Sequence, residues 1–166
     1  MNEFQMRIAD MLAENCWTSD IPRLETQDFW YVFTYSEKKG KLSSYFTHDS
    51  SDSEFLSIGW TNSAIYSILN VSVGEKTLQL ANPTGTDRIL GEVWMLPTEV
   101  LLDLDCDERN LLHTRRVMVP IRISKGRTID AWMYTVEPSL LRKGPVRVSK
   151  YSRYTYYGNE KYLEIV

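Results

Sequence analysis

Four carboxylates crowd one short stretch of the chain: Asp103, Asp105, Asp107 and Glu108. Side chains in such a run can move protons, ligate a cation or simply solvate the end of a helix. A calcium site would need the D-x-D-x-D-G loop, which is absent, and nothing around the cysteines resembles a metal-ligand set, so no metal is expected. Two readings stay open: a solvated acidic helix end, or proton transfer by Glu108. Cys106 lies inside the run, where negative neighbours raise a thiol's pKa, so it is not read as a nucleophile. His48 and His113 stand alone, with no Ser, Cys or second His at a suggestive spacing, and are read as surface or structural residues.

Two further sets of residues invite a ligand. Tyr151, Tyr154, Tyr156 and Tyr157 interleave with Lys150, Arg153 and Lys161, a mixture that could stack on single-stranded nucleic acid or pair across strands at a sheet edge. Lys38, Lys39 and Lys41 form a short basic run, read as a solvated turn. The formal net charge of −3 lacks the cationic excess of a polyanion binder, so nucleic acid is disfavoured as a partner. With 43% hydrophobic and 25% charged residues, the 166-residue chain has the composition of one globular domain rather than a disordered one. Its two cysteines, Cys16 and Cys106, belong to no CxxC motif, which fits a reducing compartment; Cys16 is read as packing. The first residues carry acids and no long apolar run, and no stretch is long enough to span a bilayer. A cytoplasmic protein without a membrane partner is the expectation.

The elements that must position these residues are legible in outline. Asn2 and Gln5 form a capping-box arrangement, and Phe4, Ile8, Met11 and Leu12 share one helical face, giving an N-terminal helical extension over 1–28. Packing of this helix on its own domain or on a partner is left open. Phe29 to Tyr35 reads as a strand, Ser36 to Gly40 as a polar turn, and Ser43 to Glu54 as a loop. Phe55 to Trp60, Ala64 to Leu69 and Ile89 to Leu96 read as strands, with a turn at Asn82-Pro83-Thr84-Gly85. Pro97 opens a short helix carrying Val100, Leu101 and Leu102. Val117, Val119, Ile121 and Ile123 alternate with Met118, Pro120 and Arg122, turn at Ser124-Lys125-Gly126, and are answered by Ile129, Ala131, Met133 and Thr135. Pro120 lacks an N–H, which predicts an edge strand or a bulge there. The tail beyond Val146 reads as extended. Many strands with two short helices and no regular βαβ alternation predict an α+β fold: a small mixed, mostly antiparallel β-barrel with flanking short helices, occupying 29–166.

The order of several segments resembles the gamma-glutamylcyclotransferase-like superfamily, also called the avirulence-induced-gene-like family. Gly91-Glu92-Val93-Trp94 resembles its G-x-[LV]-[YW] strand. A short helix follows, and then Leu104-Asp105-Cys106-Asp107-Glu108 resembles its L-D-x-x-E segment. Arg115-Arg116-Val117-Met118-Val119-Pro120-Ile121 resembles the R-x-x-V-x-V strand and Ala131-Trp132-Met133-Tyr134 the A-x-x-Y strand. Val32-Phe33-Thr34-Tyr35 resembles the first strand, and the likeness extends from about Phe29 to about Tyr134.

The resemblance implies a chemistry. Members act on gamma-glutamyl amides: the substrate's α-amino group attacks its own side-chain carbonyl, releasing 5-oxoproline and a free amine. One glutamate moves the protons, and it falls on Glu108; burial at a barrel mouth would raise its pKa towards neutrality. The first-strand turn holds the substrate carboxylate, which assigns substrate binding to Tyr35, Ser36 and Glu37, with Arg116 and Tyr134 from the later strands. No cofactor is required. The chain departs from the pattern where Tyr35-Ser36-Glu37-Lys38 replaces Y-G-[ST]-L, where Arg109 follows Glu108, and where Thr114 precedes Arg116 in place of a Tyr. Losing the turn glycine restricts the backbone, and Glu37 would repel a carboxylate. The alternative is therefore a catalytically inactive member that binds a small molecule, or a protein partner or second copy as a homodimer.

Overall fold

The computed structural model describes residues 28–35, 53–107, 112–142 and 147–165. The helix expected near the N-terminus lies outside them. Among the described residues, ten strands and two short helices follow in order: β1 Phe29–Thr34, β2 Glu54–Thr61, β3 Tyr66–Val73, β4 Lys76–Asp87, β5 Leu90–Pro97, α1 Thr98–Asp105, β6 Thr114–Ile123, β7 Thr128–Val136, α2 Pro138–Arg142, β8 Arg147–Tyr151, β9 Tyr154–Tyr157 and β10 Glu160–Leu163. The main sheet runs β1-β5-β2-β6-β7-β4-β3-β8, and a further pairing of β1 with β7 closes the first five strands into a barrel. Closure is mixed: β1 lies parallel to β7 at Val32 and Trp132, and the other barrel pairs are antiparallel. The α+β barrel expected from the sequence is the fold observed.

Strand alternation sends one set of side chains inward and the other outward. Phe33, Val93, Val119, Ile121, Ala131 and Met133 fill the interior. Outward-facing Trp30, Val32, Trp94, Leu96 and Trp132 form a second apolar surface, which α1 covers with Val100, Leu101 and Leu104. Those three helix side chains are each buried, and burial stabilises by roughly 1.5–3 kcal/mol per side chain. Strand β7 is thus buried on both faces, which is why Trp132 and Met133 are both inaccessible although neighbours in sequence. The start of the helix is fixed by a hydrogen bond from Trp30 Nε1 to Thr98 Oγ1 (3.1 Å) and one from the Thr98 N–H to the Asp28 carbonyl (3.0 Å). In β5, Gly91 permits a close approach to the end of β1: a Cβ there would stand 2.2 Å from the Thr34 carbonyl oxygen.

Two expectations change. Asn82-Pro83-Thr84-Gly85 does not end a strand; β4 runs through it to Asp87. The turn residues instead bulge out between the pairs Ser67–Asn82 and Tyr66–Asp87, with Ser67 Oγ donating to the Thr84 carbonyl at 3.0 Å. Second, β6 is not an edge strand, being flanked by β2 and β7. Pro120 is tolerated because β2 stops at Thr61: the Pro120 carbonyl accepts from the Asn62 N–H (3.1 Å), so the missing donor of Pro120 faces the point where the β2 ladder ends. The tail is extended, as expected, in β8, β9 and β10. It forms the β9–β10 hairpin, whose Leu163 and following Ile165 enter the interior cluster. The Leu163 N–H donates to the Arg88 carbonyl at 2.8 Å, and Tyr162 and Tyr157 pack their rings 5.5 Å from Trp60.

Candidate functional site

The end of α1 carries the acidic run, and its helical spacing decides which acid turns inward. Leu101, Leu104 and Asp105 fall at i, i+3 and i+4, so Asp105 continues the apolar stripe of the helix. It is 4% exposed, whereas Asp103 faces solvent. The reading of the run as a wholly solvated helix end therefore fails at Asp105. A carboxylate cannot be buried there without donors, and the barrel wall supplies them. Arg116 Nε of β6 donates to Oδ1 at 2.8 Å and to Oδ2 at 3.1 Å. The Tyr134 hydroxyl of β7 donates to Oδ1 at 2.6 Å. The Arg116 guanidinium also lies 4.1 Å from the centre of the Trp132 ring, a cation–π contact. Arg116 and Tyr134 are thus brought together, as cross-strand partners on the outer barrel face, with Asp105 as their shared acceptor.

The electrostatic consequences follow from burial. Desolvation, reinforced by the adjacent Asp105 charge and its hydrogen bond, holds the Tyr134 phenol well above its ordinary value of 10.0, so it is a firm donor at neutral pH. Burial pushes the Cys106 thiol up as well, with Asp105 and Asp103 adding to the effect, in line with its reading as a non-nucleophile. Beyond Asp105 the chain stays turned: the Cys106 N–H reaches the Leu102 and Asp103 carbonyls at 3.1 and 3.2 Å, and the Asp107 N–H reaches the Leu104 carbonyl at 3.1 Å.

Tyr35 directly follows β1 and sits where β7 changes partners. The edge of β7 pairs with β1 at Trp132 and with β4 at Thr135, leaving a fork between them. The Tyr35 hydroxyl bridges that fork. It donates to the Tyr134 carbonyl at 2.5 Å and accepts from the Ala81 N–H at 2.9 Å. Its ring is buried in the interior cluster, so the side chain serves the barrel. Tyr134 is consequently held twice, through its carbonyl by Tyr35 and through its hydroxyl by Asp105. Ser36, Glu37 and Glu108 lie outside the described residues. Sequence reasoning named Tyr35, Arg116 and Tyr134 but not Asp105; the helical stripe through Leu101 and Leu104 was the available signal. Among the described residues no group of three or more His, Cys, Asp or Glu could hold a metal ion, and no helix is long and apolar enough to cross a membrane.

No protein-family model and no curated protein matches this sequence. Solved structures do. A gamma-glutamyl cyclotransferase superposes with a TM-score of 0.55 over 66% of this chain and 68% of its own, at 13% identity. YkqA from Bacillus subtilis gives 0.56 over 73% of this chain and 45% of its own, at 15% identity. An AIG2-like protein from Mus musculus gives 0.51 over 81% of this chain and all of its own, at 18% identity. At these identities the likeness is one of fold.

Proposed function

From a chain with the gamma-glutamylcyclotransferase-like fold, we propose an enzyme that cyclises a gamma-glutamyl amide, releasing 5-oxoproline and a free amine. The observation that carries the reading is the path Tyr35–Tyr134–Asp105. It brings together the end of β1 and the end of α1, the two places where the sequence resembles the substrate-holding turn and the L-D-x-x-E segment. In the proposed reaction the α-amino nitrogen attacks the γ-carbonyl carbon, the bond from that carbon to the amide nitrogen breaks, and the amine leaves. Glu108 takes the proton from the attacking amine and returns it to the leaving one, so no water and no cofactor is consumed. The turn that begins at Tyr35 and continues through Ser36 and Glu37 holds the substrate's α-carboxylate by backbone N–H groups. The bonds of Arg116 and Tyr134 to Asp105 support a role beside that pocket rather than at the reacting atoms. The cysteine pattern supports a cytoplasmic location, and residues 29–166 form the proposed catalytic domain.

A second reading is favoured by Ser36 and Glu37, which replace a glycine and bring a negative charge to a turn meant for a carboxylate. On that reading the barrel binds another small molecule, or a protein partner, without chemistry. The two readings separate in a turnover assay. The purified chain is incubated with gamma-glutamyl amino acids, gamma-glutamyl amines and glutathione, and 5-oxoproline is measured by mass spectrometry. Product that disappears in Glu108→Gln is the expected result. Absence of product across the panel would shift the assignment to the binding reading.

A further inference from the structure

We propose that the outer edge of β8 is a docking site for an extended acidic peptide segment of a partner protein, which adds to the main sheet as an antiparallel strand. The site is independent of the cyclotransferase reading. The main sheet runs from β1 to β8, and β1 is closed onto β7, so among the described residues β8 (Arg147–Tyr151) is the strand left open at the end of the sheet. Its inner side is paired to β3 along its whole length, from Ser72 opposite Arg147 to Ile68 opposite Tyr151. Its outer side therefore presents a row of backbone N–H and C=O groups with no strand opposite them among the described residues. Arg147, Val148, Ser149 and Lys150 are all exposed.

Two rows of side chains cross β4, β3 and β8 and stop at this edge. On one face Leu78, Val71 and Val148 stand in register; Val71 is fully buried, whereas Val148 is 44% exposed. On the other face Gln79 Nε2 donates to Asn70 Oδ1 at 3.0 Å and Asn70 Nδ2 donates to Ser149 Oγ at 3.3 Å, so the Ser149 hydroxyl can donate onward. Charge selects the occupant. Arg147 and Lys150 flank Val148 and Ser149, Arg153 follows the strand, and no Asp or Glu occurs from Arg147 to Asn159, in a chain whose net charge is −3. β3 contains no acid, and among the described residues no ion pair engages any of these three cations. A second copy of β8 would bring the same cations together, and charges of one sign deter self-pairing. An incoming strand with carboxylates opposite Arg147 and Lys150, a β-branched apolar residue opposite Val148 and a hydroxyl opposite Ser149 extends both rows. In the antiparallel direction that strand reads Glu-Thr-Val-Glu. Its backbone supplies affinity and its alternating side chains supply specificity.

The test uses the full chain and a fluorescently labelled peptide, Thr-Thr-Glu-Thr-Val-Glu-Thr, titrated by anisotropy. Saturable binding is expected. It should weaken by about tenfold when Lys replaces both Glu of the peptide, and by about as much with the acidic peptide and the Arg147→Glu/Lys150→Glu protein. Combining that protein with the Lys peptide should restore binding. A peptide with the same side chains but N-methylated backbone amides should bind about tenfold more weakly, because it cannot donate hydrogen bonds to the edge. Amide exchange over 147–151 should slow when the acidic peptide is bound. Equal affinity for the N-methylated peptide, or for one of the same composition with its two Glu adjacent, would mean charge attraction without strand addition and overturns the inference. So does the lack of saturable binding below about 1 mM. A single-stranded oligonucleotide that displaces the peptide and binds more tightly would assign the cations to nucleic acid. A wild-type dimer that dissociates in the Arg147→Glu/Lys150→Glu protein would assign the edge to a second copy. Either result also overturns the proposal.

Discussion

Arg116→Met removes the cation from a carboxylate that water cannot reach. The side chains of Arg116 and Asp105 are 1% and 3% exposed, so solvent screening does not soften the loss. Breaking such a pair from one side leaves an uncompensated buried charge and costs about 3–5 kcal/mol. Met restores most of the volume against Trp132, so the cost is electrostatic rather than a cavity. In a chain of 166 residues, each kcal/mol moves the melting temperature by about 2–4 °C, which puts the loss at about 6–20 °C. Thermal and urea unfolding followed by tryptophan fluorescence would measure it. A companion measurement isolates the mechanism. Asp105→Asn combined with Arg116→Met removes both charges while keeping an acceptor for the Tyr134 hydroxyl, and should recover about 2 kcal/mol relative to Arg116→Met alone. A loss below about 1 kcal/mol, or a double variant no more stable than the single one, would refute the account of this cluster.

Gly91→Ala should abolish folded expression or cost about 3 kcal/mol in urea unfolding, because its Cβ would stand 2.2 Å from the backbone oxygen of Thr34, which has little room to yield. Leu163→Ala should cost about 3 kcal/mol by the same measurement, since this fully buried tail residue belongs to the barrel core; a cost typical of a surface site would show the hairpin to be dispensable. Tyr134 has its folded pKa held well above the 10.0 at which it ionises when unfolded. Its contribution to stability is therefore complete below pH 10.0 and is lost as pH rises through the folded value. Tyr134→Phe should flatten the alkaline fall in stability relative to wild type, and parallel curves would contradict this.

Local pattern was enough for much of the architecture. The run FWYVFT announced β1, and the alternation on either side of Ser124-Lys125-Gly126 announced the β6–β7 hairpin, where Gly126 adopts a φ of 84°. Pro97 marked the entry to α1. These segments were legible because period-2 alternation and turn chemistry are properties of neighbouring residues. The run through Asn82-Pro83-Thr84-Gly85 misled for the same reason: its turn-forming residues were visible, but the partner Tyr66–Ser67 against which they bulge was not.

The sequence by itself determined the alternating faces, the barrel class, and the order of segments that resembles the gamma-glutamylcyclotransferase-like superfamily. Only the tertiary structure decided that Asp105, one acid among four, turns inward, because that depends on what stands opposite it, and Arg116 and Tyr134 arrive from two other strands. It likewise decided that the Tyr35 hydroxyl spends its hydrogen bonds on a fork between β7 and β4, a gap that exists only after the barrel has closed. Burial and hydrogen-bond partnership are relations between distant residues, and a one-dimensional pattern carries the propensity for them but not the partner.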